Sequence, residues 1–313
     1  MRHGRTTDPA DTAACRSRAI ALCGFALSVL TVATFAFTAV EDRGHGQSVP
    51  GPSTGRQAEQ AAEAAGGDEV SPTPLPVSEE RLALLPQADT FTEVVGAPRD
   101  PAPEQAANGM VAHPTRTIAA YSSPGGEPVA AVPSTQPLGI EPARTRVDTW
   151  LPVLERRPGW LLVALPSRPN NSVAWLHLGP ETTLATISYL ITVDRATFTM
   201  ALHRNGREIG RWKVGIGAAN SVTPAGRTFV IAVLHDPVAT YTPVLLALGS
   251  HSDTYTTYGG GPGTVGVHGW PDPTVLGTAG SDGCIRVPAD ALHALTTTYN
   301  GSPIPAGTPV IIR

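Results

Sequence analysis

Cysteine is scarce, with three in 313 residues, and charged residues make up only 15% of the chain at a formal net charge of -4. The low, slightly acidic charge excludes the basic stripe that a nucleic-acid surface needs. No nucleic-acid partner is expected. The cysteines exclude a disulfide framework, because Cys15 precedes the one long uncharged apolar run and Cys23 lies inside it. Cys284 therefore stands alone in the remainder, with no intramolecular partner. What is plentiful is glycine, at 32 residues, and proline, at 31. That surplus predicts long linkers and a turn-rich, mainly β body.

The apolar run covers residues 19–40 and carries no charge. As a helix rising about 1.5 Å per residue it would reach about 33 Å, enough to cross a bilayer. Arg2, Arg5, Arg16 and Arg18 precede it and Glu41 and Asp42 follow it. The positive-inside bias then leaves residues 1–18 as a cytoplasmic tail and puts everything after the span outside. The competing reading is a cleaved signal peptide, with Thr34 and Ala36 as a weak small-x-small site and a secreted product. In either case Cys284 is an unpaired thiol in an oxidising compartment, where a thiol is buried, paired between chains or used.

Residues 41–112, dominated by Pro, Ala, Gly, Glu and Ser, lack a sustained apolar period and read as a disordered linker, with a turn or two of helix near Glu79. A flexible coil of about 70 residues has an end-to-end distance of roughly 45 to 50 Å. Over 113–180 short β-type runs alternate with turns, which predicts a small barrel or sandwich. From 186 to 313 strand-like runs recur, with Asn205-Gly206 marking a type I′ hairpin, whose two central residues need positive φ. The single clear helix starts near Pro288, with Leu292, Leu295 and Tyr299 at helical spacing.

Within Thr264-Val265-Gly266-Val267-His268-Gly269 an extended chain turns Val265 and Val267 to one side and His268 to the other. In Ser281-Asp282-Gly283-Cys284-Ile285-Arg286-Val287, Ile285 and Val287 would enter the core while Cys284 and Arg286 share the opposite face. A free thiol is only a few per cent thiolate at neutral pH, and an imidazole or cation beside it raises that fraction. Gly283 permits a tight turn, so the amides of Gly283 and Cys284 are expected to face a developing oxyanion. Taken singly, a histidine on a strand is more often structural and a lone cysteine more often core. The alternative chemistry is a metal hydrolase using His235, His251 and His268 with Asp236 or Asp253. These histidines lack the compact spacing of a ligand pair such as H-E-x-x-H. Neither a metal nor a cofactor is expected.

Two resemblances sharpen the reading. Ser122-Ser123-Pro124-Gly125-Gly126, Arg157-Pro158-Gly159-Trp160-Leu161, Leu165-Pro166-Ser167-Arg168-Pro169-Asn170 and Ala174-Trp175-Leu176 resemble the bacterial SH3-like module. That implies a small SH3-like barrel over 113–180 that binds wall or peptide; the bland alternative is that Trp160 and Trp175 only fill a core. His268-Gly269-Trp270-Pro271-Asp272-Pro273, Leu276-Gly277, the Ser281 to Val287 run and the upstream Thr223-Pro224-Ala225-Gly226-Arg227 resemble the YkuD-type L,D-transpeptidase catalytic domain. The expected fold is thus mainly β, an SH3-like barrel followed by a β-sandwich-like catalytic domain over 186–313 with few helices.

The second resemblance implies cross-linking of peptidoglycan. Cys284 would be the nucleophile and His268 the base, with Gly283, Ser281 and Arg286 in the site loop and Gly269, Trp270 and Arg286 at the substrate. It also implies donor tetrapeptide stems, release of terminal D-Ala, acylation by carbapenem-type inhibitors, and a wall-facing enzyme on the cell membrane. Other outcomes are a carboxypeptidase or endopeptidase using the same cysteine, and a silent wall-binding protein. The sequence departs from the family pattern at Asp282, where many members carry His, and at Gly269, where some carry Ser. A carboxylate facing the thiol would oppose its ionisation, so Asp282 is expected to point away. With Gly269 in place, a backbone carbonyl is expected to set the His268 tautomer.

Overall fold

Short runs with alternating burial form strands, and strands dominate the computed structural model, which describes residues 71–139, 144–235, 242–258 and 260–313. The predicted span 19–40, the tail before it, and linker residues 41–70 lie outside those residues. Among the described residues no helix is long and apolar enough to cross a membrane.

The first half contains β1 (Met110–Pro114), β2 (Ile118–Tyr121), β3 (Pro128–Val132), β4 (Thr135–Leu138), β5 (Thr145–Asp148), β6 (Leu151–Arg157), β7 (Trp160–Ala164), β8 (Val173–His177) and β9 (Thr182–Thr186). Seven of them form one sheet in the order β3-β2-β8-β7-β6-β1-β9, while β4 and β5 pair separately. The second half contains β10 (Tyr189–Asp194), β11 (Thr199–Arg204), β12 (Arg207–Lys213), β13 (Ile216–Gly217), β14 (Gly226–His235), β15 (Val244–His251), β16 (Thr264–Gly269), β17 (Ala279–Ser281), β18 (Ile285–Val287) and β19 (Pro309–Ile312). Eight of these make a sheet ordered β12-β11-β10-β19-β14-β15-β16-β18. Asn205 and Gly206 turn the β11–β12 hairpin at φ 50° and 74°. Two α-helices are described, α1 (Glu79–Leu84) and α2 (Ala289–Thr297). Pro288 is the residue just before α2, one position earlier than its usual place inside a first turn.

Because β14 alternates, Val230 enters the core of the second half, whereas Phe229 and Ile231 face the first half. The second half closes around Ile191, Met200, Leu246, Val265, Val267, Ile285 and Val287, with Ala291, Leu292 and Leu295 of α2 packed on it. Phe229, Ile231 and Ala247 instead join Leu151, Val153, Leu161, Val163 and Leu176. Burying each of the larger side chains contributes about 1.5 to 3 kcal/mol. The two halves thus share a core, where the sequence suggested separate modules.

The linker reading fails over 71–112. Ser78 caps α1 through Oγ, which accepts from the Arg81 amide at 3.2 Å. The Ala88 amide donates to the Ala131 carbonyl at 2.8 Å, the Ala131 amide to Pro86 at 2.9 Å, and the Val94 amide to Arg168 at 2.8 Å. Ala88 and Val94 are fully buried, and β1 lies between β6 and β9 inside the sheet. Small Ala and Pro side chains let this backbone lie close against the sheet and satisfy its amides there, a pattern without apolar periodicity. Trp160 and Trp175 are core residues: both are buried, and Trp160 Nε1 donates to the Pro72 carbonyl at 2.9 Å. They are not an exposed binding platform.

Candidate active site

β16 runs between β15 and β18, pairing parallel to β18 with Val267 opposite Ile285 and His268 opposite Arg286. Val265 and Val267 anchor the strand in the core. His268 is buried, and its Nδ1 lies 2.7 Å from the Gly269 carbonyl. A carbonyl can only accept, so Nδ1 carries the hydrogen and Nε2 holds the free lone pair. Burial lowers the His268 pKa, the Gly269 carbonyl opposes this, and Arg286 lowers it further. Neutral imidazole is therefore the resting form near pH 7. Gly269, expected at the substrate, supplies the carbonyl that orients this ring.

Cys284 sits immediately before β18, two residues before the partner of His268, and Gly266 sits two residues before His268 on β16. The imidazole is thereby carried on β16 and the thiol on the turn that leads into the adjacent β18. The Gly266 amide donates to Cys284 Sγ at 3.4 Å. Burial pushes the Cys284 pKa up; the Gly266 amide and Arg286 pull it down, and Asp282 adds to the rise.

The turn before the thiol is pinned at several atoms. Ser281 Oγ donates to the Cys284 carbonyl at 2.5 Å, and Thr223 Oγ1 donates to the Gly283 carbonyl at 2.8 Å. Gly283 has φ +116°, a conformation that side chains rarely adopt. Its amide donates to Ser281 Oγ at 3.2 Å, so the expectation of two free oxyanion donors is corrected to one. The Cys284 amide finds no acceptor among the described residues.

Arg286 lays its guanidinium over the Trp270 ring at 3.8 Å, and Nη1 donates to the Gly280 carbonyl at 3.4 Å. Trp270 also meets the His268 ring edge-on, with centroids 6.0 Å apart. Arg286 therefore braces the wall of the site beside the imidazole. Asp282 is exposed and turned toward tyrosines: Tyr258 Oη donates to Oδ2 at 3.0 Å and Tyr255 Oη to Oδ1 at 3.5 Å. It is thus only partly turned away, since its charge still bears on the thiol.

Several residues at the site went unnoticed in the sequence. Thr223 stands in the sequence only as part of the Thr223–Arg227 motif, and Tyr255 and Tyr258 occupy a loop with no periodic signal. Arg168 reaches that loop from the first half and donates to the carbonyls of Ser252 at 3.1 Å, Tyr255 at 3.1 Å and Pro262 at 2.9 Å. His251 Nε2 is engaged by Thr90 and His235 is exposed at the end of β14. No three metal-ligand side chains converge among the described residues; Asp236 lies outside them.

Residues 188–312 match the family model YkuD, the L,D-transpeptidase catalytic domain. YkuD of Bacillus subtilis is 28% identical over 128 residues, spanning 41% of this chain and 68% of that protein. Among solved structures, an L,D-transpeptidase from Mycobacterium smegmatis aligns at 17% identity over 57% of this chain and 77% of its own, with a TM-score of 0.30. L,D-transpeptidase 3 from Mycobacterium tuberculosis, in complex with a faropenem-derived adduct, aligns at 15% identity over 57% and 77%, with a TM-score of 0.32. The catalytic domain of the Enterococcus faecium L,D-transpeptidase aligns at 24% identity over 40% and 96%, with a TM-score of 0.30.

Proposed function

We propose that this protein is a cysteine-dependent L,D-transpeptidase that cross-links peptidoglycan stems outside the cell membrane, tethered through residues 19–40. The observation that carries the reading is the pairing of β16 with β18 inside the matched region. It brings Cys284 beside Gly266, next to the strand that carries His268, whose Nδ1 bond to the Gly269 carbonyl leaves Nε2 as the basic nitrogen. In the first half-reaction Nε2 takes the Sγ proton while sulfur attacks the carbonyl of the third stem residue. The C–N bond to terminal D-Ala then breaks, its electron pair goes to nitrogen, and the imidazolium returns the proton to that amine. The Cys284 amide would donate to the oxyanion in this reading. In the second half-reaction an amine on another stem attacks the thioester, the C–S bond breaks, and the thiol is regenerated. The thioester conserves the free energy of the broken peptide bond, so no nucleotide is needed outside the membrane.

The test is intact-mass spectrometry of the protein with and without a carbapenem, in parallel with Cys284→Ala and a tetrapeptide donor assay. One covalent adduct, lost in Cys284→Ala, together with cross-linked product, is the expected result. No adduct on a folded protein refutes the catalytic reading and leaves a wall-binding protein; D-Ala release without cross-links makes it a carboxypeptidase.

A further inference from the structure

Asp282 is a carboxylate that the acylation step does not need. It lies two residues before the nucleophile and opposes thiolate formation, yet it is held in place. Tyr258 and Tyr255 donate their phenols to it, and their rings meet at 5.8 Å between centroids. Tyr258 is pushed up to about 12, first by burial and then by Asp282, so it stays a donor. The loop bearing both phenols is fixed from the first half by Arg168, and by Asn170, whose amide nitrogen reaches Asp253 Oδ1 at 3.0 Å. Asp282 and Tyr258 are nonetheless exposed. A positioned carboxylate with lone pairs open to solvent, beside two aromatic rings, suits one class of ligand. An alkylammonium gains a charge-assisted hydrogen bond from the former and a cation–π contact from the latter. The cation of the site, Arg286, lies instead against the Trp270 ring.

We propose that Asp282, framed by Tyr255 and Tyr258, is the subsite that receives the acceptor's primary amine as an alkylammonium and delivers it to the thioester on Cys284. The proposal rests on the transpeptidase reading for its second half. The balance is RNH3+ plus thioester giving amide, thiol and one proton. One proton leaves to solvent as the amine is freed. A second is taken by His268 Nε2 during attack and returned to sulfur as the C–S bond breaks. The cost of placing a negative charge beside the thiol is then set against retention of the nucleophile that favours transfer over hydrolysis.

Two measurements on the full-length chain test it. First, binding of a lysine-containing stem peptide and of its Nε-acetyl form is compared by titration calorimetry. The free amine is expected to bind about ten-fold or more tightly, the gain from one charge-assisted hydrogen bond. Asp282→Asn is expected to abolish that preference and Asp282→Glu to keep part of it. Second, the preformed thioester is offered the amine peptide or hydroxylamine, which is neutral at pH 7.5. Asp282→Asn is expected to lower the ratio of peptide aminolysis to hydrolysis about ten-fold and to spare the hydroxylamine ratio. Equal binding of the two wild-type ligands, or a preference that survives Asp282→Asn, overturns the subsite even if the thioester forms. An ammonium preference without any thioester on Cys284 overturns the transpeptidase reading and leaves the subsite standing.

Discussion

Replacing Asp100 by asparagine keeps the side chain's size and removes the charge that answers Arg227. Arg227 Nη2 donates to Asp100 Oδ1 at 2.6 Å and Nε to Oδ2 at 2.8 Å, while Nη1 reaches the Gln105 carbonyl at 3.0 Å. The two side chains are only 5% and 2% exposed. The cavity beside them holds about 10 Å³, at the lower limit for one water, so an orphaned guanidinium has little prospect of rehydration. Breaking one partner of such a buried pair costs about 3 to 5 kcal/mol. Asparagine retains one acceptor, which puts Asp100→Asn near 3 kcal/mol, a large share of the roughly 5 to 15 kcal/mol a domain possesses. Urea unfolding with linear extrapolation measures it. The double variant Asp100→Leu with Arg227→Met removes both charges and is expected to recover most of the loss. If Asp100→Asn unfolds within about 1 kcal/mol of wild type, Arg227 is solvated or finds another partner, and the buried-pair argument is wrong.

His251 is fully buried, with Nε2 donating to the Thr90 carbonyl at 2.8 Å, and burial lowers its pKa to about 4. The unfolded chain titrates near 6.5, so this group leaves stability intact above about pH 6.5 and erodes it as pH falls to about 4, by about 3 kcal/mol in all. His251→Gln should flatten that part of the stability profile, and an unchanged slope would count against it. Since burial raises the Cys284 pKa and lowers that of His268, the resting pair is thiol and neutral imidazole. Alkylation of Cys284 by a small neutral reagent should therefore keep climbing beyond the ordinary thiol range near 8.5, and Asp282→Asn should move the climb to lower pH. A rate already level at pH 6 would indicate a preformed ion pair instead.

Local chemistry was the readable part of the sequence. The Asn205-Gly206 turn, the alternation around His268 and the helix after Pro288 each depend on a few neighbouring residues; the turn and the alternation form where expected, while the helix runs from Ala289 to Thr297 and stops short of Tyr299. The β15 run Val244–His251 passed unread as a strand because most of its residues are buried, so the alternation of a half-exposed strand is missing. The engagement of the Gly283 amide depends on where the Ser281 hydroxyl turns, which spacing does not reveal. Tyr255 and Tyr258 reach Asp282 only because Arg168, distant in the chain, shapes their loop. The misread linker has the same origin: Thr90, Val94 and Asp100 find their partners in strands and turns far along the chain, and composition carries no trace of such pairings.

Those pairings bear on where the catalytic unit begins. A boundary at residue 186 is the one expected from the sequence, two residues before the family match begins, yet cutting there would remove Asp100 from Arg227, Thr90 from His251, and Arg168 from three carbonyls of the loop behind the nucleophile. It would also expose Phe229, Ile231 and Ala247 on the outer face of β14 and β15. Unpaired buried polar groups cost about 1 to 3 kcal/mol each, and more when charged, while three apolar side chains returned to water cost several more. The total rivals the whole stability of a domain. A fragment of residues 186–313 is accordingly expected to be insoluble or molten, and a fragment of residues 71–313 to unfold cooperatively, with circular dichroism and urea titration separating the two. A 186–313 fragment that unfolds cooperatively and forms the Cys284 adduct at the full-length rate would show the contacts across the shared core to be dispensable.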